Sequence, residues 1–264
     1  MNKNLTHCFF AMFDILGFKN LLNQKGTEDL YRLYENHIFP SIQYAAMPVL
    51  KNVNSTLVPE PSSLRVKGFQ FFSDTIVYYT EDDSFVSFLN IVLTSRELLK
   101  MGFAGGKAPY RGAIGYGDLI INNNGILVGT SIIDAYQGEQ SQVWSGCILT
   151  EQAEKVCIDK NYFKQYVELF ISLSKEEKDE INKQIYLSAS KVLLKYDVEI
   201  QSYNKLRPIE YSIKKFYVLD WTYRVYEGAA LNSFYPSINN HQTKIIENTV
   251  EFERWARLYN CVNK

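Results

Sequence analysis

Two aspartates, Asp14 and Asp74, are the residues of this sequence best placed to do chemistry. Asp14 closes the apolar run Cys8–Phe13 and is followed by Gly17; Asp74 follows Phe71-Phe72-Ser73 and precedes Thr75–Thr80. Two carboxylates brought together at a sheet edge repel one another and lose hydration, and a cation between them relieves both costs. A hard divalent ion such as Mg²⁺ needs only one or two carboxylates when the phosphates of a substrate complete its shell. The turn Ile15-Leu16-Gly17-Phe18 then offers successive backbone N–H groups to a triphosphate, at the start of a helix whose dipole favours anions. Separately, an Asp ahead of a helix is an N-cap and an Asp in a hairpin is turn chemistry. The pair, each with its apolar strand, points to metal and phosphate.

Composition limits the partners. The chain has 264 residues, 28 basic and 29 acidic, for a net charge of −1. That balance gives no long-range attraction for nucleic acids or anionic lipid surfaces. A bound nucleotide must be held locally, by a metal or a few amides, and neither a nucleic-acid nor a membrane partner is expected. Cys8, Cys147, Cys157 and Cys261 show no CxxC or His-paired spacing, so neither a zinc site nor a disulfide framework is expected. His7, His37 and His241 show no spacing that suggests a base. The start has too short an apolar run for a signal peptide, and no stretch approaches the ~20 apolar residues of a membrane helix. A cytoplasmic protein is expected.

The elements that must position the aspartates follow from the apolar pattern. Cys8–Phe13 reads as a buried central strand. From Leu21 to Ile38, Leu22, Leu30, Leu33, Tyr34 and Ile38 recur at helical spacing, and Lys51–Ser63 is a polar, Pro-bearing loop. Leu64–Phe72 and Thr75–Thr80 form a tight hairpin with Asp74 at its turn. Asp83–Met101 reads as a helix, Gly102–Pro109 as a Gly-rich connection, and Tyr110–Gly117 as a glycine-heavy strand. Asp118–Val128 forms a second hairpin through Asn122–Gly125, before a helix at Ser131–Gln140 and a strand at Gln142–Thr150. This order is α+β, a ferredoxin-like βαββαβ sheet with an extra hairpin and helix. Residues 151–264 are expected to be mainly helical (Glu151–Cys157, Tyr162–Ser172, Lys175–Leu194), with a strand at Phe216–Trp221 and a closing helix at Lys244–Tyr259. The organisation expected is a core over 1–150 and an extension over 151–264 packed on it, one domain overall.

Phe13-Asp14-Ile15-Leu16-Gly17-Phe18 resembles the first metal motif of class III adenylyl and guanylyl cyclases, and Phe71-Phe72-Ser73-Asp74 resembles the second. Arg111 through Gly117 is similar to the strand before their dimerisation hairpin, and Gly129 through Glu139 to the helix after it. The resemblance covers about residues 7 to 150. It implies a class III cyclase core, two divalent ions (Mn²⁺ or Mg²⁺) held by Asp14, Asp74 and the carbonyl of Ile15, and triphosphate contacts from Leu16, Gly17 and Phe18. It also implies a head-to-tail homodimer with sites at the interface.

The departures narrow what the resemblance implies. The purine-reading Lys position is Gln70, the second base-reading position is Ile126, and the transition-state Asn and Arg positions are Ile133 and Gln137. The metal motifs are kept while the purine-reading and transition-state positions are replaced. This pattern is similar to the pyrimidine cyclases of Pycsar antiphage systems, which make cyclic UMP or cyclic CMP from UTP or CTP. Gln70 is then a candidate for the pyrimidine edge, since an amide both donates and accepts. Arg111 is a candidate for phosphate charge, against an ordinary ion-pair role. Tyr136 and Glu139 share a helix face and are expected to pack or hydrogen-bond. A purine cyclase and a cyclase-like nucleotide-binding module without turnover remain as alternatives.

Overall fold

The computed structural model describes residues 4–47, 51–53, 56–58, 65–105, 108–122, 126–202, 209–223, 225, 227–233 and 240–262. In chain order the elements are β1 (Asn4–Ile15), α1 (Phe18–Leu33), a π-helical turn (Tyr34–Ile38), α2 (Phe39–Ala45), β2 (Lys51–Val53), β3 (Thr56–Val58), β4 (Gly68–Phe72) and β5 (Thr75–Tyr79). There follow α3 (Phe85–Gly105), β6 (Tyr110–Ile121), β7 (Leu127–Val128), α4 (Thr130–Ser141), β8 (Cys147–Leu149), α5 (Glu151–Asp159), α6 (Tyr162–Glu176) and α7 (Glu180–Ala189). The chain closes with β9 (Leu193–Gln201), β10 (Tyr211–Leu219), α8 (Ala229–Ser233) and α9 (Asn240–Val262).

The main sheet runs β4-β5-β1-β6-β8-β10-β9, with β7 paired to β6. β1 lies between β5 and β6 and is antiparallel to both. With α1 and α2 leading from β1 to β4, and α3 leading from β5 to β6, this is the βαββαβ path that the sequence predicts, in an α+β fold. β6 and β8 are parallel, which requires the crossover that α4 supplies.

The alternation of β1 sorts the two faces of the sheet. Phe9, Ala11, Phe13 and Ile15 enter a large core with residues of α2, α3, α6 and α9, among them Ile42, Phe88, Tyr166 and Phe252. Cys8 and Phe10 face the other way, into a small cluster with Val77, Leu119 and Ala135 of α4, joined by Met12 and Tyr79. Asp14 has the parity of this second face.

The glycine-heavy strand has a packing reason. A Cβ on Gly115 would stand 2.6 Å from the backbone nitrogen of Ala135 and 3.0 Å from its Cα. α4 therefore lies directly on β6, and no side chain fits between them. Gly115→Ala is expected to lower the urea midpoint by the equivalent of about 1–3 kcal/mol, because backbone and not a flexible side chain must move. An unchanged midpoint would place α4 farther from the sheet.

Several expected boundaries differ. β4 begins at Gly68, not Leu64, and α3 continues through the expected Gly-rich connection to Gly105. The strand expected at Gln142–Thr150 is regular only over Cys147–Leu149; Gln142 makes a single bridge to Ile200. The helix expected over Lys175–Leu194 is broken at Glu177, where the backbone is extended, and resumes at Glu180 under an Asp179 cap. From Leu193 the chain is strand, and β9 pairs with β10 along its length. The extension is thus helical with a two-stranded addition that reaches the core sheet through Val218 and Ile148. Within the expected second hairpin, Asn123, Asn124 and Gly125 lie outside the described residues, as does much of the Lys51–Ser63 loop.

Candidate active site

β1, β5 and β6 bring the sequence-predicted carboxylates together. Asp14 pairs with Thr75 of β5 on one side and with Arg111 of β6 on the other. Asp74 occupies the two-residue turn Ser73-Asp74 between β4 and β5, since Phe72 pairs directly with Thr75. The turn is tied to β1 by Ile15, whose amide donates to the Asp74 carbonyl at 3.0 Å. The two carboxyl groups are close enough to share a hydrogen bond.

This arrangement strains the charge on Asp14. Burial comes first, then the negative charges of Glu139 and Asp74; Arg111 opposes them without prevailing, and the bond with Asp74 adds to the rise. Together they lift the Asp14 carboxyl from 3.8 to about 7. A cation between the carboxylates would offset the repulsion between Asp14 and Asp74 and favour the ionised form of both. Among the described residues no group of three or more His, Cys, Asp or Glu side chains is placed to hold an ion. Two carboxylates still suit Mg²⁺ or Mn²⁺, which take oxygen donors and fill the shell with waters and phosphates. The donor set therefore fits a hard divalent ion, with Asp14, Asp74 and the backbone at Ile15 as the residues that could hold it.

The turn after Asp14 offers fewer amides than the sequence suggests. The Leu16 N–H donates to the Pro109 carbonyl at 2.9 Å, so the sheet already uses it. Gly17 adopts φ +80°, a left-handed conformation natural to glycine, and caps α1. Phe18 opens the helix, where N–H groups have no intrahelical acceptor. Gly17 and Phe18 are thus amides that could face an anion.

Arg111 and Gln70 occupy different settings. The Arg111 guanidinium is buried, with Nε 2.6 Å from Oε1 of Glu139 and a second nitrogen donating to the Gln142 carbonyl at 3.2 Å. The Gln142 side chain in turn donates to the Gly112 carbonyl and accepts from the Trp144 indole, each at 2.8 Å. Arg111 therefore acts at Asp14 through its charge, with its donors directed at α4 and the segment after it. Gln70 is exposed on the edge strand β4, two strands from Asp14, and pairs with Val77, which pairs in turn with Met12. Alternation places Gln70 and Phe72 on the face that carries Asp14. Phe72 is 84% exposed. On α4, Ile133 is 57% exposed and Gln137 is also exposed, on the side turned away from the sheet; Ile126 is exposed as well.

Two site residues are not legible in the sequence. Glu139 reads as half of a helix-face pair, yet it is 2% exposed and supplies the largest charge acting on Asp14. Tyr34 reads as part of the apolar side of a helix, yet its hydroxyl donates to the Ser73 carbonyl at the carboxylate turn. Burial, then Asp74, Tyr110 and Asp14, push that phenol up and keep it protonated. The π-helical turn it opens, a feature frequent at functional sites, has no clear sequence signal.

No protein-family model matches the sequence, and no curated protein matches it. Among solved structures, the catalytic core of a rhodopsin-guanylyl cyclase with converted specificity, in complex with ATPαS, is similar with a TM-score of 0.46 and 11% identity. The match covers 82% of this chain and 98% of that one.

Proposed function

We propose that this chain is a nucleotidyl cyclase that converts UTP or CTP to the 3′,5′-cyclic monophosphate and pyrophosphate. The observation that carries the reading is the meeting of Asp14 and Asp74 at the end of the sheet, beside the amides of Gly17 and Phe18. In this reading Asp14, Asp74 and the Ile15 carbonyl would hold two divalent ions, Mn²⁺ or Mg²⁺. Those ions would supply positive charge to the phosphates and lower the pKa of the attacking hydroxyl.

The chain's own residues bind and orient. Gly17 and Phe18 direct their N–H groups at the triphosphate, where the helix dipole favours negative charge. Gln70 offers an amide to the pyrimidine edge from the same face of the sheet. Arg111 places its charge behind Asp14 and limits the repulsion there. The ribose 3′ oxygen forms a bond to the α-phosphorus, the bond from that phosphorus to the β-phosphate bridge oxygen breaks, and the hydroxyl proton passes to solvent. Held in line, the two ends of one substrate react without a second molecule.

The same reading includes a head-to-tail homodimer with sites at its interface, supported by the exposed apolar side chains Phe72, Ile133 and Tyr136. It includes cytoplasmic action and a cyclic nucleotide that serves as second messenger in antiphage defence, with residues 151–264 packed on the 1–150 core. Among the described residues no helix is long and apolar enough to cross a membrane.

The test is incubation of the dimeric protein with each of the four nucleoside triphosphates and Mn²⁺ or Mg²⁺, with mass spectrometry of the products. Cyclic UMP or cyclic CMP is expected, and no pyrimidine product from folded dimer overturns the proposal. Ile133 and Gln137 favour a second reading, a binding module without turnover, because neither side chain supplies positive charge. That reading predicts metal-dependent nucleotide binding, lost in Asp74→Ala, with no product from any of the four.

A further inference from the structure

The turn that carries Asp74 is held by two successive carbonyls. The Asp74 carbonyl accepts from the Ile15 amide at 3.0 Å, and the Ser73 carbonyl accepts from the Tyr34 hydroxyl. Ser73 has φ +57°, a left-handed conformation that a residue with a side chain adopts reluctantly. A tight turn in that conformation needs the surrounding structure to over-determine it. The ladder between β4 and β5 ends at Phe72 and Thr75, so it fixes the ends of the turn and not its middle. Tyr34 reaches that middle from a separate element. Its ring stands edge-on to Phe18, with centroids 6.2 Å apart at 85°, and Phe18 opens α1 just after the Asp14 strand. One side chain therefore touches both halves of the site.

We infer that Tyr34 is a positioning residue for Asp74: its hydroxyl fixes the Ser73 carbonyl, and with it the left-handed turn from which the Asp74 carboxylate projects. In this role the phenol acts through the turn, by its bond to the Ser73 carbonyl. Removing the hydroxyl alone leaves the ring packed on Phe18 and releases the Ser73 carbonyl, with the Asp74 carbonyl held by Ile15 alone, so the carboxylate spends less time aimed at Asp14. The effect belongs to ion affinity first and to turnover second. This inference rests on the metal-site reading given above.

The experiment measures Mn²⁺ binding without nucleotide, by electron paramagnetic resonance of the free ion, for wild type, Tyr34→Phe and Asp74→Ala. Circular dichroism and thermal midpoints confirm that each is folded. Tyr34→Phe is expected to bind Mn²⁺ about five- to tenfold more weakly, the size of one lost hydrogen bond expressed as a ratio. In turnover its Mn²⁺ half-saturation should rise by the same factor while kcat at saturating ion stays within about twofold. 3-Fluorotyrosine at position 34 keeps the hydroxyl and should restore wild-type binding, which a role in ring packing alone does not predict. Wild-type Mn²⁺ binding by Tyr34→Phe, with binding lost in Asp74→Ala, overturns the role of Tyr34 and leaves the metal site standing. Unchanged binding in Asp74→Ala overturns the metal site itself and the inference with it. If Tyr34→Phe does not fold, weak binding by the fluorotyrosine protein overturns the inference equally, because its hydroxyl is intact.

Discussion

Asp14→Asn is expected to lower turnover by about a thousandfold or more and, in metal-free buffer near pH 8, to make the protein more stable than wild type. In the reading proposed above, the activity loss follows from removing one of the two carboxylates that would hold the ions, whose charge stabilisation is worth several kcal/mol. The stability gain follows from the setting of Asp14. Its carboxyl is raised from 3.8 to about 7 by burial and by the charges of Glu139 and Asp74, so ionisation is less favourable folded than unfolded. Between those values the native state binds more protons than the unfolded chain, and stability must fall as pH rises. Above about pH 7 the whole cost is present; below about pH 4 it is absent. Asparagine keeps the shape and cannot ionise.

Urea midpoints for wild type and Asp14→Asn across pH 4–8 in EDTA check this. The wild-type curve should carry a downward slope that the variant lacks, and Mn²⁺ should remove the slope from wild type. Parallel curves would show that Asp14 is not strained by its neighbours. That result would take away the physical reason for placing an ion there.

The second large effect concerns the buried ion pair. Glu139→Ala leaves the Arg111 guanidinium buried with the Gln142 carbonyl as its one acceptor among the described residues. Breaking one side of such a pair costs about 3–5 kcal/mol. For a chain of this size the melting temperature should fall by on the order of 10 °C. The double variant Arg111→Met with Glu139→Leu should recover much of that loss, because an apolar pair of similar volume removes both desolvation costs together. The double variant also discriminates structure from chemistry. It removes the negative charge that acts most on Asp14 together with the positive charge that opposes it, so it tests whether Arg111 matters to turnover beyond folding. A Glu139→Ala protein as stable as wild type would mean that the pair is hydrated in solution.

Much of the scaffold was legible because it depends on short-range pattern. The apolar run before Asp14 had to be a central strand, and the β4–β5 turn had to sit at Ser73-Asp74, because alternation and turn chemistry act over a few residues. The strand from Leu193 was harder to see. Leu193, Leu194, Tyr196, Val198 and Ile200 are spaced for a strand, but the preceding helix ends only three residues before, and a short apolar run suits either period. What decides is the partner: β9 has a ladder in β10, and β10 reaches β8. The strand expected at Gln142–Thr150 erred in the opposite direction. The Trp144 indole donates to the Gln142 side chain, whose amide donates to the Gly112 carbonyl, and the ladder is left to Cys147–Leu149.

For the site, the sequence by itself singled out Asp14 and Asp74 as the candidate pair, because two acidic residues that each adjoin an apolar strand have few shared uses. It also determined that glycine follows Asp14, as the left-handed turn at Gly17 requires. Only the tertiary structure decided how those groups are held. It committed the Leu16 amide to Pro109, turned Arg111 from the open site toward Glu139, and brought Tyr34 to Ser73. Each of these is a contact between residues far apart in the chain, made by groups whose types suit several partners. A guanidinium, an amide or a phenol does not name its acceptor, and the choice falls to whatever packing places within about 3 Å. The paired aspartates could be read from residue type because few partners satisfy two neighbouring carboxylates.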